Sequence, residues 1–189
     1  MIRTAEHTAL TTRALKAVGE VTPELPEGQQ GLFQTFCELV INQLRTPYVA
    51  RHGADTIANK LKKLFELLCE TPYGEVGADF ELVGGRQVVV RTCMRDQPFI
   101  VNTVRLLVST VGGRYEAGFN AVVPVTRDSA GAVTAIGEGP LESVVQLEAD
   151  GVPDERLDEA RGRLRGNLRM AQAMVEDFAD MTGEVERLA

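Results

Sequence analysis

The sequence predicts an α+β fold: an N-terminal helical segment over residues 1–73, then a βαββα sandwich over residues 74–189. Three observations carry this. Up to Thr71 the apolar residues recur at helical spacing, and beyond Gly77 strand patterns and helical patterns alternate. The stretch between, Thr71 to Gly77, holds Pro72, Gly74 and Gly77 and marks a boundary. Finally, Arg86 to Val111 passes from an apolar strand pattern through a polar turn into an amphipathic helix.

Residues 4–19 read as a weakly amphipathic helix, and Glu20 to Glu27, with Pro23 and Pro26, as a linker. Gly28 to Arg45 is a stronger helix, with Leu32, Phe33, Phe36, Leu39, Val40, Ile41 and Leu44 on a broad apolar face. Thr46-Pro47 breaks it, because a residue before proline is pushed out of the helical region. His52-Gly53 is a turn. Asp55 to Glu70 is the next helix, with Ile57, Leu61, Leu64, Phe65 and Leu68 inward and Lys60, Lys62 and Lys63 as a solvated face.

Asp79 to Val83 is a short strand, and Gly84-Gly85 a hairpin turn leading into the central strand Arg86–Met94. Asp96 is placed to cap the following helix, with Pro98 near its first turn. Ile100, Val104, Leu107, Val108 and Val111 form the apolar stripe of that helix, and Gly112-Gly113 closes it. Tyr115 to Thr126 is a long strand. The loop Arg127 to Gly131 returns it as Val133–Ile136, and Gly137 to Pro140 reads as a further turn. Leu141 to Ala149 alternates, with Val145 and Leu147 on one side and Val144, Gln146 and Glu148 on the other. Pro153, Asp154 and Glu155 open a long helix with the stripe Leu157, Ala160, Leu164, Leu168, Ala171, Met174 or Val175, Phe178 and Met181. Both helices of this second part are expected on one face of a mainly antiparallel sheet, a ferredoxin-like open-faced sandwich. The uncovered sheet face or edge is then a natural place for another copy to dock.

Composition narrows the function. A net charge of −7 argues against a general nucleic-acid binder. The apolar runs are far short of a membrane span. The segment after Met1 lacks the apolar core of a secretory signal. Cys37, Cys69 and Cys93 lie in apolar stretches without paired or metal-ligand spacing, which points to a reduced, cytoplasmic protein and to no metal site. The histidines, His7 and His52, both fall in the helical part, so Cys93 has no base near it in sequence for nucleophilic chemistry. The acidic cluster Asp150, Asp154, Glu155, Asp158 and Glu159 suits a helix N-terminus.

The turn Arg95-Asp96-Gln97-Pro98-Phe99 and its helix resemble the strand-to-helix junction of ACT domains, with Asp96, Pro98 and Ile100 on the Asp-x-Pro-Gly-Leu pattern. A closer resemblance is to the N-terminal region of the large bacterial NAD-dependent glutamate dehydrogenases. It rests on four pieces in order: Arg95 to Val104, Val122-Val123-Pro124-Val125 with Arg127-Asp128-Ser129-Ala130-Gly131, Glu142 to Asp150, and Asp177-Phe178-Ala179-Asp180-Met181. It covers roughly residues 86–181. The family's double acid is Arg95-Asp96 here, and its tryptophans are Val144 and Phe178.

The resemblance implies an ACT-like domain of regulatory or oligomerising role, whose parent enzyme oxidatively deaminates glutamate to 2-oxoglutarate. No glutamate-binding lysine motif and no Gly-rich dinucleotide turn is present, so neither catalysis nor a cofactor is expected on this chain. The expected partners are a second copy or the other domains of the parent. The alternative is a stand-alone amino-acid-sensing module that takes a small carboxylate effector at the helix N-terminus, through Arg95, Asp96, Gln97, Pro98, Phe99, Asn102 and Thr103. Against it, Phe99 stands where ligand-binding ACT loops often carry glycine, and Asp96 with Pro98 equally serves as a helix cap. Asn102, Thr103 and Arg105 equally read as surface polar residues, and Arg91 and Arg95 as solvated or ion-paired ones.

Overall fold

The computed structural model describes the backbone of residues 5–85 and 87–188, and the side chains through Asp177 apart from Asp154. Arg86, and Phe178 to Met181 of the last apolar motif, lie outside the described side chains. In chain order the elements are α1 (Ala5–Val21), a 3-10 turn (Thr22–Glu24), α2 (Glu27–Ile41), α3 (Thr46–His52), α4 (Ala54–Glu70), β1 (Gly77–Val83) and β2 (Gln87–Arg95). There follow α5 (Ile100–Thr110), β3 (Arg114–Arg127), β4 (Val133–Asp150), a 3-10 turn (Asp154–Arg156) and α6 (Leu157–Leu188).

The strands form one antiparallel sheet in the order β1-β2-β4-β3. Residues of opposite parity in β2 and β4 face opposite sides, as a pleated strand requires. Val88, Val90, Met94, Val145, Leu147 and Ala149 pack with Ile100, Val104, Leu107 and Val108 of α5 and Ala160, Leu164 and Leu168 of α6. Cys93 and Val144, with Ala121, Val123 and Val125 of β3, pack instead against the N-terminal helices. That second core is built on Phe33, Phe36 and Phe65, whose rings meet at 5.4 and 5.5 Å. Each fully buried ring contributes about 2–3 kcal/mol.

The fold therefore has three layers, helices on both faces of the sheet, and this corrects the expectation of an uncovered sheet face. The physical reason lies in β2, where Val88, Val89 and Val90 are all buried. A strand covered on one side alternates; a strand covered on both sides is apolar throughout. The edge of β1 is also occupied. Arg161 and Arg165 of α6 donate to the carbonyls of Phe80 (2.7 Å) and Ala78 (3.3 Å).

Local details differ from expectation in three places. Thr46-Pro47 does not end a helix: α2 stops earlier, at Ile41, and Thr46 starts α3, with Pro47 in the first turn, where its missing N–H has no helical partner to lose. Gly137 to Pro140 does not separate two strands. β4 runs through it, but its pairing jumps from Pro124↔Leu141 to Val125↔Ile136, so these residues bulge outward. Gly137 and Gly139 supply the required φ of 101° and 105°. Lys60 is not on the solvated face of α4: its side chain is 14% exposed and turns toward the sheet.

Candidate functional site

The turn between β2 and α5 is built differently from a capped helix start. Asp96 does not cap α5. Its N–H donates to the carbonyl of Leu141 (2.9 Å), and its Oδ1 accepts from the Ser143 hydroxyl at 2.5 Å. The residue at the cap position is Phe99, which makes no side-chain cap hydrogen bond. Its φ of 72° and ψ of −4° are left-handed, and among the described residues it is the one non-glycine with positive φ. Holding a bulky residue there costs about 1 kcal/mol or more. The ring lies outside the core, being 63% exposed. Phenylalanine thus occupies the conformation for which glycine is suited.

The other effector candidates do not converge on one point. Arg95 and Pro98 are exposed, and Asn102 is exposed on α5, whereas Gln97 and Thr103 are half-buried. The Nε2 of Gln97 is buried without a hydrogen-bond partner among the described residues. Arg91 is not at the turn at all: it is 3% exposed and paired to Asp79 (2.9 Å) and Glu81 (2.8 Å).

The remaining motif residues meet around this turn, at one end of the sheet. Arg95 pairs with Glu142 in the β2–β4 register, and Met94 with Ser143. The guanidinium of Arg127 grips the Glu142 carboxylate with two hydrogen bonds, Nε to Oε1 at 2.8 Å and Nη2 to Oε2 at 3.0 Å. It also donates to the carbonyls of Gly131 and Leu68, both at 3.0 Å, which ties the β3–β4 hairpin to the end of α4. Asp128 Oδ1 accepts from the N–H groups of Ala130 and Ala132 at 2.9 Å and closes the hairpin loop. Asp96, Arg127, Asp128, Glu142 and Ser143 are therefore bound to this chain's own groups, leaving Phe99 projecting from the turn.

A second polar cluster, which the sequence reading passed over, lies between the sheet and the N-terminal helices. Glu148 of β4 is fully buried. Its Oε1 accepts from Lys60 Nζ at 2.6 Å and from the Tyr48 hydroxyl at 2.8 Å. Gln146 Nε2 donates to the Tyr48 oxygen at 3.2 Å. Lys60 Nζ also reaches His52 Nδ1 at 3.1 Å; an ammonium can only donate, so Nδ1 accepts and the proton sits on Nε2. That nitrogen lies 3.3 Å from Glu148 Oε2 without hydrogen-bond alignment. Burial opposes the charged form of Glu148, but the hydrogen bonds from Lys60 and Tyr48 outweigh it and hold the carboxyl below its ordinary range. Burial pushes His52 down and keeps it neutral. Burial, with Glu148 alongside, pushes the Tyr48 phenol upward. The one available signal was Glu148 and Gln146 sharing the Val144 side of an otherwise apolar strand.

The thiols are unsuited to nucleophilic work. Burial pushes Cys93 up to about 12 and Cys69 to about 11. Cys93 Sγ points at Thr71 Oγ1, 3.3 Å away. Among the described residues no group of His, Cys, Asp and Glu has the arrangement of a metal site. Among the described residues no helix is long and apolar enough to cross a membrane.

Comparison with curated proteins and with solved structures gives no match. The family model of the ACT1 domain of glutamate dehydrogenase matches residues 83–164, from the end of β1 into α6, a span that holds the turn, both halves of the Arg127–Glu142 pair and the Asp96–Ser143 contact. The match supports reading residues 83–164 as an ACT-like region of a glutamate dehydrogenase.

Proposed function

We propose that the chain is a non-catalytic ACT-like domain that assembles through its outer helical layer, onto a second copy of itself or onto other domains of a larger glutamate dehydrogenase. The observation that carries this reading is Phe99, held out from the turn at 63% exposure in a strained conformation. Strain persists where something else depends on the geometry, and the exposed ring lies outside the chain's own core. Leu106 of α5, seven residues on, is a second exposed apolar side chain, at 70%. Met170 and Met174, four residues apart on α6, are each 66% exposed. The covered sheet face and the arginine-capped edge of β1 leave this layer as the apolar surface available to a partner. The element order supports a ferredoxin-like reading: β2-α5-β3-β4-α6 is a strand–helix–strand–strand–helix run, and β1 stands beside β2 as an added edge.

Size-exclusion chromatography with light scattering tests the proposal, on the wild-type chain and on the Phe99→Ser/Leu106→Ser variant, each alone and with a glutamate dehydrogenase lacking its ACT1 region. Association in either setting that the variant loses supports it. A wild-type chain that stays monomeric and also ignores the enzyme overturns it.

One observation favours effector binding at the same turn as a second reading: the unpartnered Nε2 of Gln97. Calorimetry with a panel of amino acids tests this, with Gln97→Ala as the control. Asp96→Ala is the poorer control, since it breaks the tie to Ser143. Absence of heat with every amino acid removes the reading.

A further inference from the structure

A cleft of about 590 Å³ opens along the edge of β3. Arg45, just ahead of α3, and Arg51 of α3 stand on one wall, and Arg105 of α5 on the other. No carboxylate lines it, although the chain carries a net charge of −7. Among the described residues Arg45 and Arg105 have no carboxylate partner. Arg105 instead lies over the ring of Tyr115, 4.4 Å from its centroid. Arg51 is loosely engaged, 3.8 Å from Glu116 Oε2, and that carboxylate is already held by Arg114 at 2.8 Å.

The floor of the cleft is main chain. The side-chain amide of Gln43 takes both the N–H (3.0 Å) and the carbonyl (2.9 Å) of Val122, so Val122 faces outward from the sheet edge. The register with β4 is continuous from Ala117 to Pro124, so Asn120 and Gly118 face outward too. Arg51 takes the carbonyl of Glu116 at 3.3 Å. The open edge is thus closed at Val122 and at Glu116, which leaves room for a small molecule and not for an added strand. Guanidinium groups and edge N–H groups are all donors, and they suit oxyanions.

We propose that this cleft binds a small anion bearing at least two carboxylate or phosphate groups. Val101 and Arg105 place one side of the cleft on α5, the helix that starts after Phe99 and carries Leu106, but binding of an anion there does not require the assembly reading. Arg45, Arg51 and Arg105 line the cleft from different elements, three positive charges that a ligand with a single negative charge leaves largely uncompensated.

Isothermal calorimetry on the intact chain tests the proposal, with citrate and pyrophosphate as probes and acetate as the singly charged control. Citrate or pyrophosphate binds at millimolar concentration or below, and acetate does not; which of the two binds more tightly identifies the oxyanion chemistry. Arg45→Gln/Arg105→Gln weakens binding about a hundredfold, roughly tenfold per guanidinium lost. Glu116→Gln tightens it, by freeing Arg51. Arg163→Gln, on the exposed face of α6, leaves it unchanged. The arginines are exposed and Glu116 is half-buried, and circular dichroism checks that each variant folds. Absence of heat with both probes, or equal affinity in the double variant, overturns the proposal.

Discussion

Replacing Lys60 by methionine keeps the volume of its stem and removes the cation that holds Glu148. That carboxylate is fully buried and, among the described residues, accepts from Lys60 and Tyr48, with Oε2 left without an aligned donor. Removing one partner of a buried pair leaves an uncompensated charge, a loss of about 3–5 kcal/mol. Glu148→Gln differs in kind. The amide oxygen still accepts from Tyr48 and Lys60, and the lysine end, 14% exposed, keeps an outlet to water, so the loss is about 1–2 kcal/mol. In Lys60→Met/Glu148→Gln no buried charge is stranded, so the double variant recovers about 2 kcal/mol relative to the sum of the singles. Urea unfolding followed by circular dichroism measures all four corners of the cycle. Additive losses, or a Lys60→Met loss below about 1 kcal/mol, would refute the reasoning.

The same cluster sets an acid response. His52 has its folded pKa lowered from 6.5, so the stability it contributes is complete above 6.5 and declines as pH falls and the unfolded chain takes a proton that the folded one resists. Glu148, lowered from 4.5, contributes stability above 4.5 that is lost as pH falls through its folded value. Denaturant midpoints therefore fall in two stages on acidification, and His52→Gln removes the first.

Arg127→Met strands Glu142, itself 3% exposed, and costs about 3–5 kcal/mol by thermal or urea unfolding. Phe99→Gly relieves the left-handed backbone and raises stability by about 0.5–1 kcal/mol, whereas Phe99→Ala, which keeps the strain, gives no such gain. Gly118→Ala drives a methyl to 2.5 Å from the carbonyl oxygen of Gln146 and costs about 1–3 kcal/mol, read as a lowered melting temperature.

Most of the chain's second half was legible residue by residue. The stripe Ile100, Val104, Leu107, Val108 gave α5, and the alternation in β4 correctly separated Val145 and Leu147 from Val144, Gln146 and Glu148. The failures share a cause: a local rule met a distant partner. Asp96 satisfies every local criterion for a cap, yet its carboxylate is drawn to Ser143, forty-seven residues on. Lys60 sits beside two other lysines on α4, yet Glu148 pulls it inward across eighty-eight residues. The third layer was visible in outline, since three consecutive buried valines in β2 require cover on both faces. The arginine cleft was not, because Arg45, Arg51 and Arg105 come together only once α3 and α5 flank the edge of β3.

Hydrogen–deuterium exchange along residues 99–107, in dilute and in concentrated solution and in mixture with the dehydrogenase, places the assembly surface. The proposed role predicts slowed exchange at Phe99 to Leu107 on association, with the N-terminal helices unchanged. Protection confined to α1–α4, or identical exchange under every condition, contradicts it.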